Sequence, residues 1–155
     1  MQPQNNSIFV ISAPSGAGKT SLVNALVGAV SHLNYSVSHT TRPKRPGEVE
    51  GEHYHFVSLE QYQALRDQGA FIEHAEVFGQ HYATSRQELA QRLQAGDIIL
   101  DIDWQGAEQV RKYFPEHSCT IFILPPSVKA LEERLQGRQQ DDWSVIQKTN
   151  GAVAC

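Results

Sequence analysis

Apolar residues along the chain form short continuous runs separated by segments with helical spacing. The continuous runs are rich in β-branched residues and lie at 7–13, 97–102 and 120–124. Runs of this kind are typical of strands buried on both faces of a parallel sheet. The segment after the first run has apolar residues at helical spacing: Leu22, Val23, Leu26, Val27 and Val30. The alternation predicts an α/β fold, with a parallel sheet covered by helices on both faces.

Local signals predict where the other helices begin. The segments Ser58-Leu-Glu-Gln61 and Ser85-Arg-Gln-Glu88 fit the capping box, in which a serine and the residue three positions later bind each other's backbone N–H groups. Two further helices are predicted at 105–113 and at 128–136, the second capped by Ser127.

The chain loses helical periodicity after the first helix. Extended pieces are predicted at 35–38 and 53–57, on either side of a Pro/Gly-rich stretch at 42–47, and a further strand at 71–77. We therefore predict that residues 35–96 form a β-rich lobe inserted into the core of sheet and helices.

Length and composition exclude several classes of protein. The chain has 155 residues, of which 40% are hydrophobic and 19% charged, as is typical of one globular domain. Its net charge of −4 argues against a general nucleic-acid or anionic-membrane surface. No apolar run is long enough to span a bilayer, and residues 1–7 lack the basic region of a signal peptide. Cys119 and Cys155 lack metal-ligand spacing, and one possible pair is a poor disulfide framework for a chain of this length, which favours a reducing compartment. We therefore expect a cytoplasmic protein without nucleic-acid or membrane partners.

The turn between the first strand and the first helix matches the Walker A pattern G-x-x-x-x-G-K-[ST] at all fixed positions but one. Its residues are Ala13, Pro14, Ser15, Gly16, Ala17, Gly18, Lys19 and Thr20. Ala13 replaces the first glycine, which is tolerable if its φ is negative. In this pattern the backbone around Gly16 and Gly18 binds a β-phosphate. Lys19 would reach the β and γ oxygens, and the Thr20 hydroxyl would bind Mg²⁺. The alternative is an ordinary turn with a solvated lysine.

Two acidic residues follow the apolar strand at 97–102. Asp101 and Asp103 are two positions apart and therefore lie on the same side of an extended chain. Asp101 fits the role of a Walker B acid, which helps to hold Mg²⁺ or its waters. The alternative is that these carboxylates are solvated or cap the next helix.

A second anion site is predicted in the inserted lobe. Arg42 and Arg45 lie three positions apart between prolines and follow several hydroxyl side chains. Guanidinium forks and hydroxyls are strong donors to phosphate oxygens. The alternative is a solvated basic turn.

With these motifs in place, the sequence resembles the guanylate kinase family. The matching blocks are residues 12–20, 37–48, 71–73, 78–84, 100–106 and 122–127. The resemblance extends over nearly all of residues 7 to about 148. It implies the fold of P-loop nucleoside monophosphate kinases, and phosphorylation of GMP to GDP by ATP with Mg²⁺.

The resemblance also implies roles for individual residues. The GMP phosphate would be held by Ser38, Arg42, Arg45, Tyr54 and Tyr82, and the guanine edge would be bound by Glu73, Thr84 and Asp103. Carboxylates accept from the N1–H and 2-amino donors of guanine, which adenine lacks. Arg134 and Arg138 resemble the arginines of the family's lid and would act with Lys19 on the transferred phosphoryl group. Their alternative is a solvated helix face.

The predicted organisation is one domain of five segments: core at 7–34 and 97–127, inserted lobe at 35–96, lid region at 128–148, and tail at 149–155. At the tail the chain departs from the family. It reads Lys148-Thr-Asn-Gly where the family has Lys-Arg-Met-Ala, and roughly fifty family residues, with a last strand and helix, do not follow. If Lys-Thr-Asn-Gly is encoded AAA-ACG-AAT-GGC, deleting one adenine restores Lys-Arg-Met. We therefore interpret the tail as a frameshift or sequence error, with genuine truncation as the alternative; resequencing the gene tests this.

The sequence leaves other interpretations open. A truncated, catalytically impaired guanylate-kinase-like module could bind a nucleotide or a peptide. The shortened C-terminus favours this alternative, and the complete phosphate loop argues against it. A P-loop kinase for another small acceptor is a second alternative, against which the guanine-binding set argues. His53 and His55 are expected to be packed or hydrogen-bonded rather than metal ligands. Trp104 is expected to pack, and Cys119 to be a buried apolar side chain.

Overall fold

The structure is a computed structural model that describes residues 6–138, with side chains described as far as residue 134. Residues 139–148 of the predicted lid and the predicted tail at 149–155 lie outside this part of the chain. The elements are, in order, β1 (Ile8–Ser12), α1 (Lys19–Ala29), β2 (Leu33–Tyr35), β3 (His39–Thr40), β4 (His55–Phe56), α2 (Leu59–Asp67), β5 (Phe71–Val77), β6 (Gln80–Ser85), α3 (Arg86–Ala95), β7 (Asp97–Asp101), α4 (Trp104–Tyr113), β8 (Ser118–Phe122) and α5 (Val128–Arg138).

Four parallel strands form the main sheet in the order β2–β7–β1–β8. Successive side chains of a strand point to opposite faces, and both faces are apolar here. Ile8 and Val10 of β1 pack on one face, and Ile11 packs on the other with Ile99 of β7. The continuous apolar runs at 7–13 and 97–102 are therefore confirmed as buried parallel strands.

Helices cover both faces of this sheet. On one face α1 packs through Val23, which is fully buried beside Ile11 and Ile99. On the other face α3 contributes Leu89 and α4 contributes Val110 to the larger core cluster. The predicted α/β architecture is confirmed, and the carboxyl ends of β1 and β7 meet at one edge of the sheet.

A second sheet has the strand order β4–β3–β6–β5 and combines parallel and antiparallel pairs. It lies within the segment predicted as a β-rich lobe. Helix α2 packs on it through Tyr62, which contacts Phe71 and Ala83. The division of the chain into core, lobe and lid stays a prediction.

Strand β5 also belongs to the core of the main sheet. Ile72 packs in the same cluster as Val110 of α4. The Gln109 side chain of α4 accepts from His74 N at 3.1 Å and donates to His74 O at 2.7 Å. Helix α4 is thereby bound to β5 through both apolar and polar contacts.

The strand predicted at 120–124 was wrong in its bounds and in its burial. It lies at Ser118–Phe122, with Ile121 44% and Phe122 53% exposed. Within residues 6–138, β8 is an edge strand with β1 on one side only, so its side chains are less covered than those of β1 and β7. For the same reason Cys119 is an exposed free thiol rather than a buried side chain. Trp104, expected to pack, is 64% exposed.

The two predicted capping boxes differ. At Ser58 both reciprocal hydrogen bonds with Gln61 are present. At Ser85 only half of the box forms, because the hydroxyl accepts from Glu88 N while the Glu88 carboxylate binds Val37 N and Arg92 instead. Ser127 caps α5 as predicted, by accepting from Ala130 N at 3.0 Å. Among the described residues, no helix combines the length and apolar character needed to cross a membrane.

Candidate active site

The Walker A loop lies between the end of β1 and the start of α1. Gly16 and Gly18 have φ of 82° and 96°, which non-glycine residues rarely adopt. Gly18 is the N-cap of α1, and no side chain caps this helix. Its first N–H groups are therefore open to an anion at the positive end of the helix dipole. Positive φ outside glycine occurs only at His32 and Phe78 among residues 6–138, so Ala13 fits the loop without backbone strain.

Asp101, the predicted Walker B acid, binds two side chains of the Walker A loop. Its Oδ1 lies 2.9 Å from Lys19 Nζ, and its Oδ2 accepts from the Thr20 hydroxyl at 3.0 Å. Lys19 also donates to Ile102 O at 3.3 Å. The strand register, with Ile11 opposite Asp101, brings the acid beside the loop. Hydroxyl and carboxylate oxygens are ligands that Mg²⁺ prefers, so Thr20 and Asp101 fit the predicted metal site.

Arg42 and Arg45 are held by a glutamate that the sequence analysis missed. Arg42 Nη2 donates to Glu48 Oε1 at 2.6 Å, and Arg45 N donates to Glu48 Oε2 at 2.7 Å. Burial raises the pKa of Glu48, but the hydrogen bonds from Arg42 and from the Arg45 backbone outweigh it and lower that pKa below its usual value. The available signal was the position of this acid three residues after Arg45, in a turn rich in proline and glycine.

Two tyrosines extend this cluster toward the ATP site. The Arg42 guanidinium lies 5.4 Å from the centre of the Tyr54 ring, and the Tyr54 and Tyr82 rings are 6.0 Å apart. Burial raises the pKa of Tyr54 above its usual range, and the negative charge of Asp101 raises it further. Ser38, also predicted to bind the GMP phosphate, is buried at 4% exposure. A tyrosine of the arginine cluster is therefore influenced by the charge of the acid that binds Lys19 and Thr20.

Glu73 and Thr84 form a buried pair between β5 and β6. The Thr84 hydroxyl donates to Glu73 Oε1 at 2.5 Å, and both side chains are almost inaccessible to solvent. Burial raises the pKa of Glu73 to about 7, against the lowering effect of the Thr84 hydrogen bond. The charge of Asp103 adds to the rise, and the charge of Lys19 opposes it. The pKa of Glu73 is thus influenced by the charges of both Asp103 and Lys19.

Asp103 caps α4, which was one of the alternatives open from the sequence. Its Oδ1 accepts from Gly106 N at 2.9 Å and its Oδ2 accepts from Gln105 Nε2 at 2.9 Å. A capping carboxylate has further lone pairs, so this role leaves acceptor capacity for a ligand. Glu73 and Asp103 thus form a pair of neighbouring acceptors at the start of α4.

One of the two predicted lid arginines reaches the phosphate loop. Arg134 Nη1 donates to Ala17 O at 3.3 Å. Arg138 is the last residue of α5, and its side chain lies outside those that the structure describes.

The histidines of the lobe are hydrogen-bonded or packed, as expected. His53 Nδ1 accepts from Val49 N at 3.0 Å. His55 lies 3.4 Å from both Glu50 and Glu88, and its ring is 4.7 Å from that of His39. Among residues 6–138 no group of three or more His, Cys, Asp or Glu side chains has the arrangement of a metal site.

A glycine-rich loop on a parallel sheet, with a lysine and an acid beside it and two arginines in a loop between strands of a second sheet, defines a P-loop kinase of small molecules. Comparison with known proteins makes the assignment narrower. The family model described as guanylate kinase matches residues 5–154. By this match, and by the relatives described next, the chain belongs to the guanylate kinase family.

The relatives agree in sequence and in structure. The guanylate kinase of Coxiella burnetii is 53% identical over 143 residues, which are 92% of this chain and 69% of that protein. The guanylate kinase of Saccharophagus degradans is 57% identical over 141 residues, which are 90% of this chain and 68% of that protein. The crystal structure of guanylate kinase from Anaplasma phagocytophilum matches with a TM-score of 0.75 at 34% identity, over 95% of this chain and 82% of that one.

Proposed function

We propose that this protein transfers the γ-phosphoryl group of ATP to GMP, forming ADP and GDP. The observation that carries the proposal is the position of Asp101. It binds Lys19 and Thr20 of the phosphate loop, and its charge also acts on Tyr54 of the arginine cluster. A donor phosphate and an acceptor phosphate bound at these two places would face each other.

The ATP phosphates would bind at the start of α1. The loop residues from Ala13 to Thr20 would contribute backbone N–H groups, and Lys19 would contact the β and γ oxygens. To do so, Lys19 exchanges its ion pair with Asp101 for phosphate oxygens. Thr20 and Asp101 would hold Mg²⁺, which supplies positive charge to the phosphates when bound.

The GMP phosphate would bind at the arginine cluster. Arg42 and Arg45 supply guanidinium forks, and Ser38, Tyr54 and Tyr82 supply hydroxyl donors. The Glu48 carboxylate already orients the Arg42 fork and the Arg45 backbone. Tyr54 is protonated at neutral pH, and burial raises its pKa further, so its hydroxyl is available as a donor.

The guanine base would bind between β5 and α4. Glu73 and Asp103 would accept from the N1–H and 2-amino groups, and Thr84 would complete the set. Adenine has an acceptor at N1 and no 2-amino group, so neither carboxylate would gain a donor from the base if AMP entered. This mismatch explains the choice of base.

The transfer itself needs no covalent intermediate. An oxygen of the GMP phosphate attacks the γ-phosphorus, and the bond to the β–γ bridging oxygen breaks, so that the electron pair leaves with ADP. Lys19, Arg134 and Arg138 would neutralise the charge on the moving group. Positioning of the two ligands supplies the rest of the acceleration. We propose the cytoplasm as the place of this activity, because both nucleotides are available there.

A coupled assay of ADP formation tests the proposal. We expect turnover with GMP and at least about 100-fold less with AMP. Lys19→Ala should lower kcat by about 100-fold or more. The matched control is Lys112→Ala, because Lys112 is exposed and pairs only on the surface with Glu108. Equal turnover of GMP and AMP would reject the base assignment, and activity surviving in Lys19→Ala would reject the assignment of the ATP site. Binding of a peptide without any nucleotide turnover would favour a non-catalytic module.

A further inference from the structure

Gly106 lies in the first turn of α4 and contacts both of the carboxylates proposed to bind guanine. Its N–H donates to Asp103 Oδ1 at 2.9 Å. Its α-carbon faces Glu73: a Cβ at position 106 would overlap with Glu73 Oε2 and lie 3.0 Å from Glu73 Cδ. Gly106 itself is buried. One residue therefore sits between the two acceptors.

The Glu73 carboxylate occupies the space that a side chain at 106 would need. Its other oxygen is held by the Thr84 hydroxyl, and its side chain is 2% exposed. A Cβ at 106 would also lie 3.1 Å from Ile102 Cδ1, so the methyl group has little room on that side. Because a carboxylate is the far end of a flexible side chain, it would move before the helix did.

The backbone at this position does not require glycine. Gly106 is not among the described glycines with positive φ, and it lies within a helix, where alanine is the more favourable residue. The requirement is therefore for empty space beside Glu73 rather than for an unusual conformation.

We propose that Gly106 is a positioning residue for guanine recognition, which acts through Glu73 and Asp103. Its missing side chain allows the Glu73 carboxylate to lie against the start of α4, and its N–H fixes the direction of Asp103. The acceptor class concerned is a purine with both an N1–H and a 2-amino group. The inference rests on the proposed function and names a further residue of the same site.

Steady-state kinetics of Gly106→Ala test the inference. We expect kcat/KM for GMP to fall about tenfold or more, while KM for ATP changes less than about twofold. Preference for GMP over inosine monophosphate, which lacks the 2-amino group, should fall by about tenfold as well. A purely structural defect would lower activity toward both acceptors alike and would leave their ratio unchanged.

The matched control is Gly28→Ala. Gly28 lies in α1, has no positive φ, and a Cβ there would meet nothing within 4 Å. This variant should keep the kinetics of the wild type for both nucleotides. Unchanged GMP kinetics and selectivity in a folded Gly106→Ala protein would overturn the inference.

A double-mutant cycle covers the case in which Gly106→Ala folds poorly. Glu73→Asp shortens the acid by one methylene and withdraws it from position 106. The inference predicts that Gly106→Ala lowers GMP affinity, measured by calorimetric titration, less in the Glu73→Asp protein than in wild type. The loss of stability caused by Gly106→Ala should likewise be smaller in the Glu73→Asp protein. Equal costs in both backgrounds would overturn it. If wild type binds no GMP at all, the proposed function fails first, and the inference fails with it.

Discussion

Asp101 Oδ1 lies 2.9 Å from Lys19 Nζ while its Oδ2 accepts a hydrogen bond from the Thr20 hydroxyl. The acid thus binds the two side chains that a nucleoside triphosphate and Mg²⁺ would use. In the free protein it keeps them at the mouth of the loop, and with ligands bound it would change from their partner to a metal ligand or a holder of metal-bound water.

Asp101→Asn should therefore weaken the use of Mg²⁺. The amide keeps the size of the side chain but loses the negative charge, so we expect the Mg²⁺ concentration for half-maximal activity to rise about 10- to 100-fold. Magnesium titrations of the initial rate measure this. The control is Asp97→Asn at the other end of β7, where the carboxylate binds Ser7 N at 2.7 Å. Equal magnesium dependence in the two variants would contradict the assignment of Asp101.

The raised pKa of Glu73 predicts an acidic limit for GMP use. Below a pH of about 7 the carboxyl is protonated and loses one acceptor site for the guanine donors. We expect kcat/KM for GMP to fall about tenfold per pH unit below this value. Glu73→Gln should lower kcat/KM about 10- to 100-fold at pH 8 and flatten the decline. Titration of the GMP phosphate affects both proteins equally, so a decline of the same size in Glu73→Gln would count against Glu73.

The same group links stability to pH. Its pKa is about 7 in the folded protein against 4.5 as the reference value, so folding favours the protonated carboxyl. Its contribution to the free energy of unfolding is fully present below a pH of about 4.5 and is lost as pH rises through about 7. This loss amounts to at most about 3 kcal/mol. Urea unfolding of wild type and Glu73→Gln measures it as a difference. From pH 5 to pH 8 the wild type should lose free energy of unfolding that Glu73→Gln does not lose. A difference between the two proteins that stays constant over this range would refute the raised pKa of Glu73.

Glu48→Gln tests the support of the arginine cluster. The substitution removes the charge that pairs with Arg42 at 2.6 Å, and both side chains are mostly buried. We expect KM for GMP to rise several-fold and stability at neutral pH to fall by about 1 kcal/mol. Because the pKa of Glu48 is lowered, its stabilising effect is present above the ordinary carboxyl pKa and is lost as pH falls through the lowered value. Glu108→Gln, which removes an exposed ion pair, is the control and should leave KM for GMP unchanged.

Local hydrophobic patterns correctly predicted the strands that are apolar on both faces. The runs that became β1 and β7 are apolar on both faces, and the structure covers both faces. Strand β6 was not predicted as a strand, because its sequence Gln-His-Tyr-Ala-Thr-Ser has neither a continuous apolar run nor clear alternation. It forms through pairing with β3 and β5, which only the tertiary fold provides.

The sequence also failed to predict how exposed the edge strand β8 is. The apolar run at 120–124 indicated a strand with neighbours on both sides, yet β8 has a single neighbour within residues 6–138. In the site, the Walker A loop and the arginine pair were recognisable because each lies within a few consecutive residues. The roles of Glu48 and Gly106 could not be predicted in this way. Glu48 orients the arginines and Gly106 leaves space beside Glu73, and both roles depend on contacts that the spacing of residues along the sequence does not reveal.

The contacts between β5 and α4 have a consequence for how the protein would move. Ile72 and the His74 backbone fasten β5 to the same helix that Asp103 caps. The proposed binding place of the guanine base is therefore anchored to the main sheet, whereas the arginines lie in the loop after β3. We expect this part of the site to keep its position relative to the main sheet when ligands bind, so that a closing movement would have to come from the loop after β3.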